Sequence, residues 1–330
     1  MQLPRSPVPP EGTGDPPRPE PRPRSRVSRV VEWLDQPSRL RHLLVLPLTI
    51  VLLIVVGFPF LMNIKLSFSE FQANSPYSWW EAPFVGFDNY AYILSDDRFW
   101  DAVGRTLALT AAGVTIEAIL GLGLAILMAD VRRGRRIYTA VFLLPMMVIP
   151  VVSGFIFFML FQEQGAINSG ILSPLLGRDV SIPWLSDPTW AFVAILIADV
   201  WQWTPLMFLI FAAGLAAVPK NLRQASEVLG ASRLQQLRYI SLPLMKRIIL
   251  IAAVIRGVEL FKIFDSVFIL TGGGPGSSTE TISLYLYSTG GVAFNVAYSA
   301  AASFLVLILI GVIAWFALKP LEIVQQETGS

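Results

Sequence analysis

The chain has no cysteine and a single histidine, His42. Disulfides and thiolate metal sites are thereby excluded. Ser-His or Cys-His nucleophile pairs and His-metal clusters have almost no raw material. Charge is scarce too. Only 15% of the 330 residues are Asp, Glu, Lys or Arg, where soluble domains carry about 25%. Against that shortage stand 54% hydrophobic residues, which point to lipid as the solvent. The net charge of +2 says little; the placement of the charges says more.

Residues 1–30 are rich in Pro and Arg, as in Pro16-Pro17-Arg18-Pro19-Glu20-Pro21-Arg22. Such a composition cannot bury a core and disfavours helix. A solvated, disordered tail is expected over 1–42, without the apolar stretch and cleavage site of a signal peptide. Six apolar runs follow, near 43–66, 105–129, 138–161, 189–214, 248–270 and 297–318. About 20 residues cross a hydrocarbon core, so each is long enough to span. Pro59, Pro145, Pro150 and Pro205 lie inside runs, which neighbouring helices can tolerate. The expectation is an all-α polytopic membrane protein with six transmembrane helices. The first span is 43–66, an extracytoplasmic loop fills 67–103, a core of five spans fills 104–319, and a cytoplasmic tail closes the chain at 320–330.

Cations alternate from loop to loop. Arg18, Arg22, Arg24, Arg26, Arg29, Arg39 and Arg41 precede span one. Arg132, Arg133, Arg135 and Arg136 follow span two, and Lys220, Arg223, Arg233, Arg238, Lys246 and Arg247 follow span four. The intervening loops hold Arg98 and Arg178, and 271–296 has no Lys or Arg. Lys and Arg collect on the cytoplasmic side, so both termini and the 219–246 loop are expected there. Trp79, Trp80, Trp100, Trp184 and Trp190 fall at or near outer span ends, where interfacial aromatics sit.

The 219–246 loop is patterned. Leu222, Ala225, Val228 and Leu229 share a helical face. Gly230 suits a left-handed helix stop. Ser232 and Gln235 have the spacing of a capping box, and Leu234 and Leu237 share a face of the second helix. Pro243 marks the passage toward span five. The whole describes helix–Gly–helix with an apolar stripe, suited to a groove on a partner; a solvated loop lying on the membrane is the plainer alternative. Elsewhere, ionisable residues inside spans suggest function by default. Asp199 sits mid-span four beside Trp201, Gln202 and Trp203, and Glu117 lies in span two. Arg256 and Glu259 are three apart in span five, and Lys262 and Asp265 repeat the spacing, so each pair could join along one helix face. Aromatic platforms with polar partners make Asp199, Trp201, Gln202, Trp203, Glu259 and Asp265 candidates for a solute path, with ordinary helix–helix contacts as the alternative. Gly121, Gly123 and Ala125 read as close helix packing.

The order Gln224-Ala225-Ser226-Glu227, then Gly230-Ala231, then Ile240-Ser241-Leu242-Pro243 resembles the Glu-Ala-Ala loop of ABC-importer permeases. Gln224 stands where that loop has Glu, Ser226 where it has Ala, and Leu229 where Asp is frequent. Phe261 to Pro275, with Phe264-Asp265 and Thr271-Gly272-Gly273-Gly274-Pro275, is similar to the end of span five in the carbohydrate-uptake branch. Val85-Gly86-Phe87-Asp88-Asn89-Tyr90 and Trp203-Thr204-Pro205 add to the likeness. The resemblance is to type-I, binding-protein-dependent ABC importer permeases such as those for maltose and glycerol phosphate. It implies that fold, with cytoplasmic coupling helices between spans four and five. It implies an outer gate at Phe264 and Gly272 to Pro275. The implied partners are an ATPase dimer carrying ATP and Mg, a second and non-identical permease, an extracytoplasmic solute-binding protein and membrane lipid, in a bacterial cytoplasmic (inner) membrane. The glycine run itself lacks the Gly-Lys-[Ser/Thr] of a nucleotide loop. No cofactor, metal or nucleic acid is expected on this chain. A passive channel and a polytopic membrane enzyme are the competing functions; for the latter, Asp96-Asp97 is the only adjacent acidic pair in an outer loop, and a solvated helix start is the simpler account of it.

Overall fold

The computed structural model describes residues 37–129, 131 and 133–328; residues 1–36 of the tail expected over 1–42 lie outside them, and its last residues, 37–42, are helical instead, as the start of the helix Pro37–Leu52. The chain divides into two units, one up to Leu61 and one from Met62 onward. The first is helical. It holds α1 (Pro37–Leu52), a widened turn over Leu53–Gly57 and the start of α2 (Phe58–Ser67). Val45–Ser67 is long and apolar enough to cross a membrane.

The second unit is also helical. A short α3 (Asp88–Leu94) precedes α4 (Asp97–Ala129). Then come α5 (Arg135–Met147), α6 (Pro150–Leu160), a short helical segment Ala166–Leu176 and α7 (Pro188–Ala217). Two small helices, α8 (Lys220–Val228) and α9 (Arg233–Gln236), lead to α10 (Leu242–Phe261). The chain ends with α11 (Asp265–Leu270), α12 (Ile282–Tyr287) and α13 (Val296–Thr328). The expected tail from 320 is therefore helical through Thr328.

Six unbroken spans were expected, and the described residues provide fewer. Four helices pass as spans, and a bent pair, Arg135–Met147 with Pro150–Leu160, makes up to five. The bend is 92°. Val148 and Ile149 are extended, and Pro150 disfavours an α conformation at the residue before it. The carbonyl freed at Val148 is not wasted: Gln202 Nε2 donates to it at 2.7 Å. The expected span 248–270 breaks at Lys262 to Phe264. Its helical part, α10, carries Lys246, Arg247, Arg256 and Glu259, more charged residues than the helices that pass as spans hold in their apolar stretches.

Local chemistry sets the helix ends. Asp187 caps α7, accepting from Thr189 N at 2.9 Å and Trp190 N at 3.1 Å, with Pro188 at the first position. Small residues set the packing. A Cβ on Gly121 would lie 2.6 Å from Met207 Cβ and 2.8 Å from Phe208 N, so α4 and α7 touch backbone to side chain there. Gly214 brings α7 against Met245 and Ile248 of α10. Ala125 is buried in the same region. Gly123, expected in this contact, faces open space, because it sits two residues from Gly121 on another side of the helix. Without a hydrophobic force between helices in lipid, such close approach supplies the packing.

Gly121→Val should therefore destabilise the protein by about 1–3 kcal/mol, as overpacking does. Gly123→Ala should be neutral or better. Thermal unfolding in mild detergent distinguishes them, and a Gly121→Val protein that melts like the wild type would refute the α4–α7 contact.

Candidate functional site

Arg256, in the last third of α10, organises the interior. Its Nε donates to Glu117 Oε2 of α4 at 2.7 Å and its Nη2 to Glu117 Oε1 at 3.0 Å. The same Nη2 donates to Asp199 Oδ2 of α7 at 2.5 Å. All three residues are 3% exposed or less. The guanidinium also lies 5.1 Å from the centroid of the Trp203 ring, where the ring's negative face favours a cation. One cation thus meets two carboxylates from two other helices. The bidentate fork on Glu117 is the geometry arginine is built for.

This corrects the expected pairing. Arg256 does not pair with Glu259; a membrane interior makes isolated carboxylates costly, and Glu117 and Asp199 need the cation more than an exposed acid does. Glu259 instead accepts from Lys262 at 3.1 Å, both about half exposed. That also removes the expected Lys262–Asp265 pair.

A cavity of about 290 Å³ opens beside the triad. Asp199, Trp203 and Arg256 form part of its wall, with Glu259 of α10, Lys262 and Phe264 from the break after it, and Asp265 at the start of α11. The sequence-derived solute path is therefore brought together at Asp199, Trp203, Glu259 and Asp265. Trp201 and Gln202 point elsewhere. Trp201 packs edge-on against Phe157 at 5.4 Å, and Gln202 serves the Val148 carbonyl. Phe264 reaches the cavity and stacks on Phe268 at 5.3 Å. The glycines expected with it at an outer gate do not line the cavity. Gly272 and Gly273 take left-handed φ of 58° and 89° and turn the chain tightly before Pro275. Thr279 Oγ1 fastens this turn, donating to Gly274 O at 2.8 Å.

That turn delivers Glu280 to a cluster the sequence left unassigned. Arg98 donates from Nε to Glu280 Oε2 at 2.8 Å and from Nη2 to Oε1 at 2.6 Å. Asp96 accepts from Tyr285 OH at 2.5 Å and Tyr298 OH at 2.7 Å. Burial pushes the Asp96 carboxyl up, but these hydroxyls and the Arg98 and Phe99 amides outweigh it and hold it below its usual range. Asp96 does stand at the start of α4, accepting from Arg98 N at 2.9 Å, but it is also an internal tie to α12 and α13 and not merely solvated. The signal available in the sequence was Arg98 itself, the only Lys or Arg between residues 67 and 103.

At the other end of α7 and α10 lies the patterned loop. Helix α8 closes with Ala231 N on Ser226 O at 2.9 Å and Gly230 N on Glu227 O at 3.0 Å. Gly230 has φ 78°. This is a Schellman closure, with glycine in the left-handed position. Ser232 then starts α9 in a full capping box with Gln235. Ser226 is buried and donates to Arg223 O at 2.7 Å, whereas Gln224, Ala225 and Glu227 are exposed. Ala231, Ile240 and Leu242 are half-buried, and Pro243 opens α10. The apolar stripe stays outside: Val228 is 88% exposed, Leu229 86% and Leu234 72%.

A family of proteins described as the binding-protein-dependent transport system inner membrane component matches residues 119–320. The chain belongs to that family. It is 35% identical over 251 residues to the trehalose/maltose transport system permease protein MalF of Thermococcus litoralis, covering 76% of this chain and 83% of the relative. It is 34% identical over 281 residues to the trehalose transport system permease protein SugA of Mycobacterium tuberculosis, covering 85% and 88%. A chain of a bacterial alginate ABC transporter, solved with an alginate pentasaccharide-bound periplasmic protein, shares the fold. The TM-score is 0.73 at 20% identity, over 89% of this chain and 96% of that one. The relatives are named as transport permeases and not as enzymes, and the family is one of inner-membrane components. The membrane environment is what gives the Arg256 triad its stringency.

Removing one partner of a buried ion pair costs about 3–5 kcal/mol, because the remaining charges are uncompensated. Arg256→Gln should cost that much, leaving two carboxylates without a cation. Glu117→Gln, which leaves the Arg256–Asp199 pair, should cost less. The triple change Glu117→Gln, Asp199→Asn, Arg256→Gln should recover most of the loss. Folded yield and melting temperature in detergent test this order; Arg256→Gln as stable as Glu117→Gln would contradict it.

Proposed function

We propose that this chain is one permease of an ATP-driven importer that takes a sugar, polyol or related carbohydrate derivative from an extracytoplasmic binding protein. The observation that carries this reading is the 220–243 loop. It offers a rigid helix–Gly–helix whose apolar side chains stand in solvent, at the ends of the two helices that hold Asp199 and Arg256. Membership of the family and the sugar-transport relatives support it.

The spanning arrangement follows from charge. We take α10 as the fifth of six crossings, since Glu117 and Asp199 compensate its buried Arg256 and Lys246 and Arg247 lie near its start. The excess of Lys and Arg in alternate loops then puts both termini and the 219–246 loop in the cytoplasm. The expected partners there are two ATPase chains, which bind ATP and Mg. A second permease, non-identical as in the carbohydrate branch, completes the path.

The work of this chain's own residues is positional. ATPase closure would press on α8, and Gly230 and the Ser232 cap would keep the loop rigid enough to pass the displacement to α7 and α10. These helices carry Asp199, Trp203, Arg256 and Glu259, which line the cavity. An aromatic face with fixed charges and hydrogen-bonding groups suits hydroxyl-rich solutes. Movement of α7 against α10 would open or close that cavity.

Gly230→Pro tests the coupling directly, because proline fixes φ near −65° where the loop needs 78°. Uptake of labelled maltose or trehalose by cells, and recovery of the ATPase on the tagged chain, should both fall at least about tenfold, a loss of roughly 1.4 kcal/mol in coupling. Membrane insertion should be unchanged. Normal uptake by this variant would end the coupling-loop reading.

A further inference from the structure

Beyond solute transport, a second binding feature lies between α5 and α7. These helices meet at Phe142 and Phe208, edge to face at 6.0 Å. Toward the start of α5 and the end of α7 they diverge around a groove of about 1090 Å³. The wall from α7 is Leu209, Ala212, Ala213 and Ala216, and Ile137, Ala140 and Leu143 of α5 face it. Three alanines on one side leave a trough where larger side chains would fill it. The groove mouth is basic. Arg135 and Arg136 line it, both exposed, and among the described residues no carboxylate does. Among the described residues neither arginine has an ion-pair partner.

Two exposed cations beside an apolar trough suit an acidic headgroup carrying a hydrocarbon chain. From Arg136 to Leu143 the helix descends seven residues, roughly 10 Å, enough for the upper part of an acyl chain. Basic pockets between membrane helices bind such headgroups. A neutral lipid or an uncharged helix would fill the trough and leave both guanidiniums unanswered. We propose that this groove holds an anionic phospholipid, with its phosphate on Arg135 and Arg136 and an acyl chain along Ala212, Ala213 and Ala216. The site is separate from the solute cavity. It depends on the chain spanning the membrane and is independent of which sugar is carried.

The test is native mass spectrometry of the full-length chain in mild detergent with phosphatidylglycerol or phosphatidylcholine added. The wild type should retain phosphatidylglycerol preferentially. Each arginine near an anionic surface contributes roughly fivefold, so Arg135→Gln/Arg136→Gln should cut that retention about thirtyfold, with phosphatidylcholine unaffected. Ala213→Leu keeps both charges and fills the trough, and should also lower phosphatidylglycerol retention. Equal retention of the two lipids by the wild type, or unchanged phosphatidylglycerol in either variant, would overturn the proposal. So would loss of phosphatidylglycerol when the chain is assembled with its co-purifying subunits, since a protein would then cover the groove.

Discussion

Everything in the membrane core is arranged around the Arg256 guanidinium. A cation buried among helices in lipid is tolerable only with carboxylates to answer it, and here they come from two different helices. Glu117 fixes α10 to α4, and Asp199 fixes it to α7. The three helices also approach closely through small residues, with Gly121 between α4 and α7 and Gly214 between α7 and α10. Steric fit sets how near the helices come. The charges set their register, because a helix that slid by a turn would strand an ion. Only this combination leaves an open cavity with polar walls beside a fully satisfied ion cluster.

The same residues connect the two ends of the molecule. Helix α7 runs into the 220–243 loop and α10 runs out of it. Asp199 lies eighteen residues before Ala217, the end of α7, which is roughly 27 Å of helix. Arg256 lies fourteen residues after Leu242, the start of α10, or roughly 21 Å. In the proposed importer a displacement of the loop would reach the triad along two continuous helices, of which α7 carries Pro205 within it. The triad would be where those helices are pinned together, so it would limit their relative motion to tilting about one point. The break at Lys262 to Phe264 lies just past that pin, where tilting moves the cavity wall most.

Much of this was legible before any coordinates. The Schellman stop at Gly230 and the capping box at Ser232 are local features, fixed by residue type and spacing, and they appear where the sequence places them. Span positions were legible as apolar runs, but their continuity was not. The 92° bend needed the knowledge that Gln202 would receive the Val148 carbonyl, a contact between residues 54 apart in sequence. Pairing of Arg256 failed for the same reason. Sequence spacing favours Glu259, three residues away, while the true partners are 57 and 139 residues distant. A count of charges per membrane level would have found them, since Glu117 had no cation nearby in its own helix. The glycine run was legible as a turn; that it serves to aim Glu280 at Arg98 was not, because nothing in the run itself names its distant partner.

The departure at Gln224 bears on how the loop would hold a partner. A glutamate there could pair with a cation on the partner; glutamine cannot. The exposed surface compensates in kind. Val228, Leu229 and Leu234 are exposed apolar side chains of this loop, and apolar burial is worth about 25 cal/mol per Å². Exposed ion pairs, by contrast, contribute about 0–1 kcal/mol and are screened. Arg223 and Arg238 are exposed cations of the same loop, able to steer an acidic surface without carrying the attachment. In the proposed importer, docking of this kind would depend on shape, and the shape of the loop depends on the left-handed turn at Gly230, so a single glycine would bear more on coupling than the first residue of the motif.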